Sequence, residues 1–240
     1  MKVGILSNRN SVVLGRYLRA LTTAGVGIAC IVLDDKADSA RDLEIWNERT
    51  LGRLPEIPLG DFADLSIPTY YVADHRSPEC TDLIRAQSID VLANAGTPRI
   101  LRGPILDVAP LGVLNLHPGL LPHYRGCTSV EWSIYNDDPV GNTVHVMNAS
   151  IDEGPIVATE PVGIEAGTSY SDVRLAVYRH GFDLMARVVR QLVDGVIDRS
   201  VFRQQTDGTY RKPIGTEEMS QVMAKLAAGR YRSVGAQSSN

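Results

Sequence analysis

Apolar residues along the chain follow two periodicities in turn. Short, nearly continuous apolar runs at 2–6, 28–33, 70–72, 89–93 and 112–116 have the length and content of buried strands. Between the first two, Leu14, Tyr17, Leu18 and Leu21 recur at helical spacing, and Gly25 marks the stop. Residues 39–54 read as a second helix. Ser77-Pro78 opens a third that runs to about Gln87, with serine as cap and proline at the first helical position. Strands alternating with helices predict an α/β fold: a Rossmann-like, mostly parallel sheet with helices on both faces.

The second half is less regular. Short helices are predicted at 103–108 and 128–135. Residues 142–147 alternate polar and apolar, as a half-buried strand does. Residues 156–158 and 162–164 are two further short strands. From Thr168 a long helix runs to about Gly195, with Val173, Val177, Met185, Val188, Val189 and Leu192 on its inner face. Beyond it come a turn at Asp207-Gly208, a strand at 209–212, a helix at 217–226 and a frayed tail from Ser233. The chain thus divides into a main domain over 1–195 and a short carboxyl-terminal strand/helix appendage over 196–240.

Composition narrows the function classes. The net charge of −4 argues against a broad nucleic-acid-binding face, so no nucleic-acid partner is expected. The cysteines are Cys30, Cys80 and Cys127, without Cys-x-x-Cys spacing, which predicts reduced thiols and a cytoplasmic protein. The opening apolar run is too short for a signal-peptide core, and no run approaches the ~18 apolar residues of a membrane span. No His, Cys and carboxylate set has metal-ligand spacing, so no metal is expected. A dinucleotide reading fails because Gly-x-Gly-x-x-Gly is missing after the first strand. Asp34 is then expected to be a solvated strand end.

Candidate chemistry concentrates at 114–126 and around Asp152. Asn115 and His117 lie two apart on a strand, hence on one face, and Pro118-Gly119 ends that strand. In open α/β sheets ligands bind at the strands' carboxyl ends. An amide, an imidazole and a carboxylate can together stabilise an oxyanion, move a proton and orient the base that moves it. His145 is expected to serve as a structural hydrogen-bonding residue, His123 as an exposed loop residue, and His75 and His180 as structural residues.

These residues also carry a family likeness. Asn115-Leu-His117-Pro-Gly-Leu-Leu-Pro122, Tyr124-Arg125-Gly126, Asn142-Thr-Val-His-Val146 and Ile151-Asp152-Glu-Gly-Pro-Ile156 resemble the folate-dependent formyltransferases. That family includes glycinamide ribonucleotide, methionyl-tRNA and sugar N-formyltransferases, and the resemblance spans roughly residues 1–195. It implies N10-formyltetrahydrofolate as co-substrate and Asn115, His117 and Asp152 as the catalytic set, with Asp152 favouring the protonated ring of His117. It further implies a pterin pocket at Pro98, Arg99, Ile100 and Leu101, facing Asn148, Ala149 and Ser150. The loop Ser7, Asn8 and Arg9 stands where the purine enzymes carry a glycine-bearing phosphate loop, and here no glycine lies between Ser7 and Leu14.

Within the family, Tyr124 and Arg125 look like the tRNA- and sugar-modifying members, with Trp132 available as an apolar surface. Only about 45 residues follow Gly195, and the chain is acidic, which argues against a tRNA acceptor. The expected acceptor is a nucleotide-linked 3-amino or 4-amino deoxysugar, as in O-antigen biosynthesis. Ser7, Asn8, Arg9, Tyr124 and Arg125 would contact it, and a homodimer is compatible with this reading. The alternatives are a glycinamide ribonucleotide formyltransferase and a folate-binding protein without turnover.

Overall fold

The computed structural model describes residues 1–235. Its elements run β1 (Val3–Asn8), α1 (Leu14–Thr23), β2 (Ile28–Asp34), α2 (Ala40–Thr50), β3 (Thr69–Val72), α3 (Pro78–Gln87), β4 (Val91–Asn94), β5 (Val113–His117), β6 (Arg125–Gly126), α4 (Ser129–Tyr135), β7 (Gly141–Val146), β8 (Ile156–Pro161), α5 (Tyr170–Val193), β9 (Tyr210–Arg211) and α6 (Thr216–Ala227). A seven-stranded sheet carries the order β3-β2-β1-β4-β5-β7-β8. Strands β1 to β5 are parallel, and β7 and β8 close the far edge antiparallel.

Helices cover both faces because the strands are apolar on both. Val3, Ile5, Ile31, Leu33 and Val91 pack beneath α1 and α5, whereas Leu6, Cys30, Val32, Leu92 and Val113 pack beneath α3. The predicted helix starts have clear causes. Ser39 accepts from the Asp42 amide, Ser77 from Cys80 and Ser169 from Asp172, each capping an otherwise unpartnered N–H. The strand order reverses direction between β1 and β4, and at their carboxyl ends Ser7, Asn8 and Gly96 converge.

Several local expectations are revised. The strand at 142–147 is buried on both faces rather than half-buried, because α5 covers one side and the β5 loop the other. The short strand expected at 156–158 extends to Pro161 as β8, and that expected at 162–164 is reduced to an isolated bridge between Ile164 and Ser233. Ser233 is therefore paired and buried rather than frayed, and 236–240 lie outside the described residues. The polar stretch before Pro68 contains a 3-10 helix, Leu59–Leu65. Asp34 is fully buried, not solvated, and accepts from Arg99 Nε and the amides of Lys36 and His75.

The segment after Gly195 folds back onto the body. β9 pairs with β6, a two-residue strand that local patterning gave no sign of. Val222 and Leu226 of α6 join Val130 and Ile134 of α4 in a third apolar cluster. Tyr231 closes this cluster: its hydroxyl donates to the Asp138 carbonyl at 2.9 Å and accepts from the Val140 amide at 3.1 Å. Tyr231→Phe removes both bonds and leaves the buried Val140 amide without this partner. It should lower stability by about 1–3 kcal/mol, read as a fall in Tm by thermal denaturation. An unchanged Tm would mean that this anchor contributes nothing.

Candidate functional site

The antiparallel ladder between β5 and β7 assembles the first four polar groups. Asn115 lies opposite His145 and His117 opposite Thr143, so all four side chains share one face. Thr143 Oγ1 organises the loop that follows β5, donating to the Gly119 carbonyl at 2.7 Å and accepting from Leu121 N at 3.1 Å. Gly119 must be glycine, because a Cβ there would stand 2.6 Å from His117 Nε2 and 2.7 Å from Ser129 Cβ.

Asp152 arrives on the loop between β7 and β8. Its backbone is left-handed at φ 55°, an uncommon conformation for a residue with a Cβ. Two constraints hold it there. Gly154 lies so close to the Val146 carbonyl that a Cβ would approach it to 1.7 Å. Gln205, from the carboxyl-terminal segment, donates its amide to the carbonyls of Asp152 at 2.9 Å and Gly154 at 2.7 Å. Its own oxygen accepts from Arg125 Nε at 3.0 Å. The Asp152 carboxylate then accepts from Gly126 N at 2.8 Å and stands 3.4 Å from His117 Nδ1 and 3.5 Å from His145 Nε2.

Asn115 is oriented from both ends. Its oxygen accepts from Asn94 Nδ2 at 2.9 Å, and its amide nitrogen lies 3.1 Å from His145 Nε2. The amide therefore presents N–H groups and not a carbonyl on the His145 side, and one of its two protons remains for a ligand oxygen. His117 is only 4% exposed, and its Nε2 lies 2.6 Å from the Tyr124 carbonyl, which assigns the ring proton to Nε2. The bare Nδ1 then faces Asp152.

Burial lowers the pKa of His117 below the ordinary histidine value, and His145 adds to the effect; Asp152 and the Tyr124 carbonyl pull the other way and are outweighed. This reverses the sequence expectation of a protonated ring favoured by Asp152, because desolvation of the cation exceeds its attraction to one carboxylate. Asp152 itself stays ionised. Burial raises its pKa, but the neighbouring His145 and His117 and the Gly126 amide together hold it below the usual carboxylate value.

A cleft of about 440 Å³ opens over these groups. Pro98, Arg99, Ile100 and Leu101 form one wall, Asn148, Ala149 and Ser150 another, and Asn115, His145 and Asp152 face into it. The residues named as a pterin pocket and two of the three named as catalytic are thus brought together; His117 lies beneath, in contact through Asp152. The Arg99 guanidinium is held by Asp34 and the Ala73 carbonyl, so it fastens the wall to β2. A second cavity of about 210 Å³, lined by Val13, Tyr17, Leu116 and Phe182, shares Asn94 and Asn115 with the cleft.

The other candidates lie elsewhere. Ser7 and Asn8 are fully buried, bonded to the Ala95 and Gly96 carbonyls and Asp38. Arg9 pairs with Asp35 and lies over the Tyr71 ring. Tyr124 is buried, its hydroxyl bonded to Asp138, and Arg125 is engaged by Gln205 and Glu153. Trp132 is covered rather than available, donating to the Lys212 carbonyl at 2.8 Å. Sequence reasoning missed Asn94, Thr97, Cys127 and Met147 as cleft residues, whereas Ile151 lies in the run 148–152 expected to line the pterin pocket. Asn94 alone carried a signal, being a polar residue at a strand's carboxyl end, the same criterion that singled out Asn115. Among the described residues no group of three His, Cys, Asp or Glu is arranged to hold a metal ion, and no helix is long and apolar enough to cross a membrane.

Residues 6–189 match the formyl transferase family, and the chain belongs to it. A methionyl-tRNA formyltransferase from Chloroflexus aggregans is 30% identical over 182 residues, 75% of this chain and 56% of that relative. The chain therefore spans little more than half the length of the curated relatives it matches. Among solved structures, a glycinamide ribonucleotide transformylase from Symbiobacterium toebii has a TM-score of 0.62 at 22% identity, covering 85% of this chain and 93% of its own. A sugar N-formyltransferase from a Shewanella species has a TM-score of 0.61 at 19% identity, covering 94% and 87%. The formyltransferase PseJ from Anoxybacillus kamchatkensis, solved with UDP-4,6-dideoxy-4-formamido-L-AltNAc and tetrahydrofolate, has a TM-score of 0.57 at 15% identity, covering 96% and 99%.

The electrostatic arrangement is testable in the free protein. A histidine titration followed by NMR should place His117 below the ordinary value near 6.5. Asp152→Asn removes an attraction that raises this pKa, so the His117 titration should move further down. An upward move would mean that the carboxylate does not act on this ring.

Proposed function

We propose that this formyl transferase moves a formyl group from N10-formyltetrahydrofolate to the amine of a nucleotide-linked aminodeoxysugar. The observation that carries the transfer reading is the junction at Asn115, where a broad cleft and a smaller cavity share one wall beside Asp152 and His145. Such a junction suits two reactants that meet at one oriented amide. The cleft fits a pterin: Leu101 and Met147 offer apolar surface, and the backbone of 148–152 offers donors and acceptors. Bound there, the folate supplies an activated formyl group.

The protein's own residues do the rest. Asn115, its oxygen held by Asn94, directs an N–H toward the oxygen on which negative charge develops. His117 rests neutral, with a bare Nδ1 beside Asp152, and serves as the base. Asp152 lines the cleft, receives the proton from the acceptor amine and shares it with Nδ1. The imidazolium so formed is stabilised by the same carboxylate, and its proton returns through Asp152 to the folate nitrogen as the bond from that nitrogen to the formyl carbon breaks. Asp152 thus has two neighbours of different kind, His117 for the proton and His145 for orientation.

The choice of acceptor is supported by how much of the chain the sugar-modifying structures take in. They align over nearly all of it, and hence over the carboxyl-terminal segment that holds Asp152 through Gln205. The PseJ structure holds a formamido sugar nucleotide together with tetrahydrofolate. Ser7, Asn8, Arg9, Tyr124 and Arg125 are assigned to the support of the site rather than to contact with the acceptor. A small-molecule acceptor of this kind needs no nucleic-acid surface.

His117→Asn should lower kcat by roughly 10²–10⁴-fold, the usual scale for losing a general base, with folate affinity changed far less. Turnover close to that of the unaltered enzyme would remove His117 from the reaction. For the acceptor, steady-state assays should compare dTDP- and UDP-linked 3-amino and 4-amino sugars with glycinamide ribonucleotide and methionyl-tRNA. The largest kcat/KM is expected for an aminosugar. A higher value for either other acceptor would overturn the sugar assignment, and folate binding without turnover of any acceptor would overturn the enzymatic one.

A further inference from the structure

A cavity larger than the proposed formyl-transfer cleft lies elsewhere on the protein. A groove of about 610 Å³ lies between α1 and α5, and Phe182 is the one residue it shares with the small cavity beside Asn115. Its floor is made of small residues at helical intervals, Ala20 and Ala24 on α1 and Ala186 on α5. Five arginines surround this floor: Arg16, Arg19, Arg53, Arg179 and Arg187. That is a high local concentration of positive charge in a chain whose net charge is −4.

Three of the five have a carboxylate nearby. Arg53 pairs with Asp172 at 2.6 Å, Arg187 with Glu160 at 2.5 Å, and Arg19 stands 3.8 Å from Asp61. Asp183 also lines the groove. Arg16 and Arg179 form no salt bridge among the described residues. Arg16 donates one Nη to the Pro55 carbonyl at 2.6 Å, but its Nε is buried and has no partner. Burial and the neighbouring charges of Arg19 and Arg179 disfavour the charged form of Arg16. A buried, unpartnered guanidinium nitrogen beside two like charges is a costly arrangement that an anion would relieve.

The guanidinium fork matches phosphate oxygens in geometry and charge. The groove has the volume of a small-molecule site, larger than one phosphate requires. Its two uncompensated arginines come from different helices, so a chain of linked phosphates can engage both. We propose that the α1/α5 groove binds a ligand with at least two linked phosphates, with Arg16 and Arg179 as its principal donors. Free oligophosphate and the phosphates of a nucleotide share this chemistry. The proposal does not depend on the acceptor assigned above, because it is read by binding alone.

The test is calorimetric titration of the full chain with pyrophosphate and with dTDP, at constant ionic strength in chloride. Saturable binding is expected, weakened at least tenfold by Arg179→Gln. Arg179 is exposed, so this variant should fold normally; Arg16→Gln is the second variant and loses the Pro55 contact as well. Arg41→Gln, which changes an exposed arginine on α2, should bind like the unaltered protein. Tighter binding of dTDP than of pyrophosphate, with the same dependence on Arg179, identifies a nucleotide site; equal binding identifies the phosphates alone as the recognised group. No saturable binding, or equal losses in Arg179→Gln and Arg41→Gln, would overturn the proposal.

Discussion

The geometry of the cleft depends on keeping one carboxylate, that of Asp152, ionised and fixed while largely removed from water. Its side chain is 11% exposed. An ion in that position needs a partner, and the Gly126 amide supplies a hydrogen bond while the rings of His117 and His145 stand within 3.4 and 3.5 Å. A left-handed backbone at a residue with a Cβ costs about 1–3 kcal/mol. Two hydrogen bonds from Gln205, each contributing roughly 0.5–1.5 kcal/mol, are of the right size to offset it. The carboxylate is thus held from the side chain by β5 to β7 and from the main chain by the carboxyl-terminal segment.

Burial decides the protonation state of His117 against the charge beside it. The ring has acceptors on both nitrogens, the Tyr124 carbonyl at 2.6 Å and Asp152 at 3.4 Å. The nearer one fixes the tautomer, and the farther one is too distant for a full hydrogen bond. A neutral ring with an unfilled nitrogen next to an anion is poised to accept a proton, since that proton would convert a repulsive contact into an attractive one. His145 differs because its Nε2 already faces the Asn115 amide. Two histidines with ring centroids 6.5 Å apart are therefore distinguished by their hydrogen-bond partners rather than by distance from the acid.

The parts legible in the sequence were those encoded locally. Apolar runs revealed the parallel strands, and Ser77-Pro78 located the start of α3 within a residue. Alternation on β5 put Asn115 and His117 on one face, and the neighbouring motif supplied Asp152. What local patterning could not show was pairing between distant segments. β6 is two residues long, too short to have a period, and exists because its backbone pairs with that of β9, which lies within the strand expected at 209–212. Asp34 looked like a solvated strand end because nothing near it in sequence announces Arg99 as its partner. Ser7, Asn8 and Arg125 looked available for the same reason, with partners 30 to 88 positions away.

Gln205 shows why this limit matters for function. It sits in an irregular stretch between α5 and β9, where neither propensity nor periodicity marks it. Its three hydrogen bonds nevertheless join Arg125 of the loop after β5 to Asp152 and Gly154 of the loop after β7. Those two loops carry the Gly126 amide and the carboxylate it binds. The carboxyl-terminal segment is itself kept in place by the apolar cluster of α4 and α6 and by Tyr231. Two residues before Gln205, Arg203 exchanges backbone hydrogen bonds with Ile156 at 2.8 Å, so main chain and side chain together tie this segment to the start of β8. The position of the Asp152 carboxylate is therefore set in part by a segment that contributes no side chain to the cleft.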